Sequence, residues 1–122
     1  MAAVERMERV RKALGDKRFA FVKTLSENTA IGMEAVLRTL KVHGGDLRPS
    51  FVELKLREFS GLSGGIKTKM PVEAASYPIR TGELHDLKSH VAVLRFIHSK
   101  PLSEGEMQLA QDIHRLLWKH SL

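Results

Sequence analysis

The chain contains no cysteine. Disulfides and thiolate metal sites are therefore excluded, and a reducing compartment fits the composition. No apolar run approaches the roughly 20 residues of a membrane span. The opening stretch, MAAVERMERV, carries charges throughout and does not read as a secretory signal. The expectation is an intracellular protein, cytoplasmic or nuclear/nucleoid, with no membrane partner.

Aromatic residues are scarce: five Phe, one Tyr and one Trp. Binders of single strands display several stacking rings. Most of the Phe fall on predicted core faces, which argues against base-specific recognition of single strands and favours a duplex or its backbone. Catalytic signatures are also missing. There is no HExxH and no GxSxG elbow, and the acids do not fall into a recognisable catalytic pair. A protein without catalytic residues, metal or cofactor is expected. The six histidines, His43, His85, His90, His98, His114 and His120, are scattered in the sequence. A small metal-assisted enzyme using them is the remotest of the readings, because zinc needs three or four convergent ligands.

What the chain does have is length, an apolar fraction and positive charge. With 122 residues and 43% hydrophobic content, it supports one domain with a real core. Twenty Lys and Arg against 14 acids give a net charge of +6. The excess is +4 over residues 1–50 (ten basic, six acidic) and +2 over 51–122 (ten basic, eight acidic), so it is built into the folded part. A basic domain attracts polyanions: nucleic acid, an anionic membrane or an acidic protein.

Val4, Met7, Val10 and Leu14 fall at helical spacing and predict a helix over 2–14, stopped by Gly15. Asp16 can cap a second helix over 17–26, with Phe19, Val22 and Leu25 on one side. Arg11, Lys12, Lys17 and Arg18 crowd this junction as a basic cluster, either a solvated face or a binding patch. A third helix is expected over 30–42, capped by Asn28 or Thr29 and stopped by Gly44-Gly45.

Residues 25–42, LSENTAIGMEAVLRTLKV, resemble the helix-turn-helix of winged-helix DNA-binding regulators. Val36, Arg38, Leu40 and Lys41 sit where that pattern puts them. The resemblance implies that Arg38 and Lys41 contact nucleic acid and that Glu34 and Leu37 face the groove. The sequence departs from the pattern at Ala30, where the turn usually has glycine. The alternative is a third helix of an ordinary helical layer.

From Phe51 the pattern changes. Val52, Leu54 and Leu56 alternate with Glu53, Lys55 and Arg57, the period of a half-buried strand. Phe59 breaks that parity, which calls for a bulge near Arg57-Glu58 or an exposed ring. Arg48-Pro49-Ser50 reads as an extended entry to this strand. Ser60 to Gly65 then reads as a mobile glycine loop, with Ile66 to Met70 returning as a second strand past Lys67 and Lys69. GLSGGIKT is compared with GxxxxGK[ST], but Ile66 replaces the second glycine and the strand–loop–helix context is missing. A finger reaching for a phosphate backbone remains.

Residues 72–90 read poorly, with a short edge strand at 76–80. His90 to His98, HVAVLRFIH, is apolar on both alternating faces and predicts a central strand. Ser103 and Glu106 form a capping box for a last helix over 104–119. Its apolar arc is wide. The surplus at Met107, His114 and Trp118 packs on the N-terminal helices or forms a homodimer surface.

The expected fold is a single α+β domain: N-terminal helices, a small and mainly antiparallel sheet, and a C-terminal helix packed on it. The expected function is nucleic-acid binding through phosphate contacts by a homodimer, as in a regulator or a viral or phage-type sequestering or packaging protein. The expected contacts are Lys67, Lys69, Lys55, Arg57, Arg11, Lys12, Lys17 and Arg18, joined by Arg38 and Lys41. The alternative is a protein-interaction or assembly module working through the Met107–Trp118 surface.

Overall fold

A computed structural model of the chain describes residues 2–67 and 81–122, with side chains described over 4–59 and 87–122. Among the described residues six helices run in order: α1 (Ala2–Leu14), α2 (Asp16–Thr29), α3 (Met33–His43), α4 (Pro49–Lys67), α5 (Thr81–Ser99) and α6 (Glu104–Lys119). There is no strand among the described residues. The domain is all-helical there, so the expected sheet, and with it the α+β class, is wrong.

Helix α1 has the expected bounds and ends at Gly15, but Asp16 does not cap α2: Gly15 is the N-cap, without a side-chain bond, and the helix runs on to Thr29. Gly15 takes φ 83°, a left-handed conformation that suits glycine, and its N–H still donates to the Arg11 carbonyl at 2.9 Å. The α2–α3 turn is less regular. Ala30 sits in the left-handed region at φ 57°. Neither Asn28 nor Thr29 caps α3; Gly32 is the N-cap and provides no side-chain bond. Thr29 instead stays in α2, where its hydroxyl donates to the Leu25 carbonyl at 2.6 Å and accepts from the Ile31 N–H at 3.3 Å.

Residues 51–67 form most of α4, which overturns the strand, the glycine loop and the start of the second strand. Val52, Leu56 and Phe59 recur at i, i+4 and i+7, one face of a helix. Val52 is fully buried, and Leu56 and Phe59 pack against the core. Leu54, placed by alternation on the buried side of a strand, is 49% exposed. Charges also match the helical repeat: Arg57 pairs with Glu53 at 2.7 Å and Lys55 with Glu58 at 3.3 Å. Pro49 opens the helix instead of entering a strand; an N–H at that position would have no partner in the helix. The Arg48 carbonyl accepts from the N–H groups of Phe51 and Val52, both at 3.0 Å.

The segment expected as a central strand, His90 to His98, lies within α5. Val93, Leu94 and Ile97 are buried together at i, i+1 and i+4, with Ser89 one turn earlier, while Arg95 and His98 face solvent. A strand would have sent Val93 and Leu94 to opposite faces. The expected edge strand at 76–80 lies outside the described residues.

The helices are layered around α3, which packs on α2, α5 and α6. Helix α4 packs on α5, and α1 on α2 and α6. The core joins Val10 and Leu14 of α1, Val22 and Leu25 of α2, Val36, Leu37 and Leu40 of α3, and Ile113 and Leu117 of α6. Helix α6 has the bounds its capping box predicts: Ser103 Oγ accepts from Glu106 N–H at 3.2 Å, and Glu106 Oε1 from Ser103 N–H at 2.9 Å.

Candidate interaction groove

Where α3 ends, the chain turns through Gly44 to Arg48 and enters α4. Gly44 is buried against α6. A Cβ there would meet the Leu40 carbonyl oxygen, the Ala110 carbonyl oxygen at 3.0 Å and His114 Cβ at 3.2 Å. His114 continues the contact, its Nδ1 lying 3.3 Å from the Leu40 carbonyl oxygen. One turn later Trp118 Nε1 donates to the Lys41 carbonyl at 2.8 Å. These contacts fix the end of α3 along one side of α6.

Beside this seam lies a groove of about 260 Å³, bounded by α3, the turn, α4 and α6, with Leu94 of α5 at its inner part. Leu47, Val52, Leu94 and His114 line its inner part, and Val42 and Phe51 stand at its mouth. Its volume falls below the roughly 300–1,000 Å³ of small-molecule sites, which suits one or two inserted side chains better than a cofactor. The surroundings are apolar and exposed: Val42 is 57% exposed, Phe51 39% and Trp118 59%. A cation covers each of the two aromatic rings. Lys41 Nζ lies 4.5 Å from the Trp118 centroid, and the Arg48 guanidinium 5.0 Å from that of Phe51. Arg48 is also held by Asp46 at 2.8 Å, an exposed pair that lowers the pKa of the carboxyl and raises that of the guanidinium.

His43, which also lines the groove, contacts two neighbouring helices. Its ring centroid is 5.2 Å from that of His90 on α5 and 5.6 Å from that of Phe59 on α4, both edge to face. Burial lowers its pKa to about 4; the neighbouring His90 and Lys55 lower it too, and Glu58 opposes them. Its Nε2 is buried and makes no hydrogen bond. Among the described residues no group of three potential ligands converges on a metal.

The cations expected to bind nucleic acid are spread over the molecule, and several face acids. Arg11 pairs with Glu8 at 3.3 Å and Asp16 at 3.6 Å, and Arg18 with Asp112 at 3.3 Å. Lys55 and Arg57 pair within α4, on a helix and not on the outer face of a strand. Lys12, Lys17 and Arg38 are exposed. Lys67 is the last residue of α4, its side chain outside the description, and Lys69 lies outside the described residues altogether. Of the two residues that the helix-turn-helix resemblance turns toward a groove in DNA, Leu37 is buried. Glu34 accepts from Arg6 Nε at 2.9 Å.

Met107, His114 and Trp118 share one side of α6. Of the three, His114 lines the groove; Trp118 lies one turn beyond it, against the Lys41 carbonyl, and Met107 is half-buried two turns before it. Sequence reasoning missed Val42 and Phe51, because a strand reading gives no reason to bring residues 42 and 51 together. It also missed Arg9 and His120, which with Lys12 line a shallow hollow between α1 and the C-terminus that no acidic side chain lines. The i,i+3 spacing of Arg9 and Lys12 was the available signal. No protein-family model, curated protein or solved structure matches the chain.

Proposed function

We propose that this domain is a non-catalytic helical module that binds a helical segment of another protein in the groove between α3, α4 and α6. One observation carries the reading: Val42 and Phe51 are left exposed at the mouth of a preformed apolar recess, and the exposed Trp118 stands one turn beyond His114 in its wall. Large side chains in such numbers at one place mark interfaces more often than bare surface. Helix-in-groove binding is the mode that fits, since the described residues offer no strand edge to extend. The test is Phe51→Glu, which places a charge at the mouth of the groove without touching the core. Captured partners should be lost from this variant while its melting temperature stays near that of the parent; unchanged capture sinks the reading. Light scattering tests whether a second copy of the chain is that partner: a dimer that Phe51→Glu converts to monomer supports it.

A second reading, nucleic-acid binding, draws support from the net charge of +6 and from Arg9, Lys12 and His120 around one hollow. Phosphate contacts through these residues would weaken steeply with salt. Titration of labelled duplex DNA, duplex RNA and single strands at several salt concentrations tests it, with Arg9→Ala/Lys12→Ala as the control. No binding at low salt removes it.

A further inference from the structure

We infer that the segment the groove receives is an acidic amphipathic helix: apolar anchors on one face, with carboxylates flanking them. The inference rests on the protein-binding reading above and specifies its partner. Three features of the rim decide the charge.

First, the exposed rings are capped by cations. A partner side chain that packs on Trp118 or Phe51 therefore meets Lys41 or Arg48 at the same time. Second, the charges are unevenly matched. Arg48 is matched by Asp46 and Lys55 by Glu58, whereas Lys41 takes part in none of the described ion pairs. Lys41 is thus the cation with charge to offer; it stands over the exposed Trp118 ring and next in the chain to Val42, which lines the groove. Third, α4 begins at the mouth of the groove and has no acid in its first turn; Asp46, in the turn before it, is already paired with Arg48 at 2.8 Å. The positive end of its dipole is left without a side-chain counter-charge from that turn. A carboxylate gains at both places, and the net charge of the chain draws it in from a distance. A basic helix with the same apolar face meets repulsion at both.

The recess itself sets the anchors. Leu47, Val52 and Leu94 offer no polar atoms to an incoming side chain, and the polar side chains lining the recess beside them are those of His43, Asp46, Lys55 and His114. The group packed on the three apolar residues is therefore aliphatic or aromatic. Anchors at i, i+4 and i+7 span about 10 Å along a helix.

The probes are two synthetic helical peptides of about 16 residues with identical leucine faces, one flanked by glutamates and one by lysines. Each is labelled and titrated against the full chain, with anisotropy as the readout. Trp118, the only tryptophan, reports independently through its emission. We expect the acidic peptide to bind about ten-fold tighter or more at roughly 50 mM salt, with the gap narrowing as salt rises. Lys41→Glu should abolish or reverse the preference, with circular dichroism confirming the fold of the variant. Equal affinities, or tighter binding of the basic peptide, overturn the acidic inference and leave the groove reading intact. Failure of both peptides to bind, with Trp118 emission unmoved, overturns the groove reading itself.

Discussion

Trp118 and Lys41 are joined twice over: the indole Nε1 donates to the Lys41 carbonyl at 2.8 Å, and the same lysine's Nζ sits 4.5 Å from the centroid of the ring. The backbone of α3 and its side chain thus grip one residue of α6. Trp118→Phe keeps a ring but removes the donor, a loss of about 1 kcal/mol. Trp118→Ala removes the ring as well and should cost about 2 kcal/mol. Lys41→Ala leaves the backbone bond intact and should cost about 0.5–1 kcal/mol. Urea denaturation followed by circular dichroism ranks the three. If Lys41→Ala proves the most damaging, this account of the contact is wrong.

Acid should weaken the fold through His43. The pKa of His43 falls from 6.5 to about 4 on folding, chiefly because the folded protein buries the ring, with His90 and Lys55 adding to the effect. The neutral ring is therefore favoured in the native state. Its contribution is fully present above pH 6.5 and is lost as pH falls from there through about 4. Because the ring is only partly buried, the effect is discounted to about 1–2 kcal/mol. His43→Gln should flatten the dependence of stability on pH across that window. An unchanged slope would place its origin in other groups.

Ala30 holds backbone strain. At φ 57° it adopts a conformation costing an L-residue about 1–2 kcal/mol. It is exposed, so its methyl contributes little packing. Ala30→Gly relieves the strain but loosens the unfolded chain, which offsets about 0.4–1 kcal/mol. A net stabilisation of up to about 1 kcal/mol is expected, seen as a higher melting temperature. A fall of several degrees would contradict it.

Gly44 behaves in the opposite way. Its φ of −63° is open to any residue, so conformation is not the obstacle. The obstacle is space, since an added methyl meets carbonyl oxygens of α3 and α6 and the Cβ of His114. Gly44→Ala should destabilise by about 1–3 kcal/mol despite the better helix propensity of alanine. Stability equal to the parent's would mean that the two helices separate easily here.

Residues 2–43 were largely legible because their apolar positions match only one period. Val10 and Leu14, or Val36 and Leu40, are four apart, and the residues between them are mostly charged or small. The capping box at Ser103 fixed the start of α6 in the same way. From Phe51 on, two periods competed. Val52, Leu54 and Leu56 satisfy alternation, yet Val52, Leu56 and Phe59 satisfy a helix. The mismatched parity of Phe59 and the Glu53–Arg57 spacing were signs that the helix wins. Around Val93 the ambiguity is deeper, because a short run that is apolar on all sides suits a buried strand and a buried helix equally. The groove was illegible for a related reason. It depends on bringing Val42 and Phe51 to one mouth, and that follows from the turn at Gly44 and from α4 being a helix.

The approach of α3 to α6 at Gly44 separates the shape of the groove from its chemistry. The gauge between its walls is set by main chain against main chain, at a position with no side chain to vary. Lys41, Val42 and Phe51, by contrast, stand free of the core. They can be exchanged to alter which helix is received, while the width of the receiving slot stays the same.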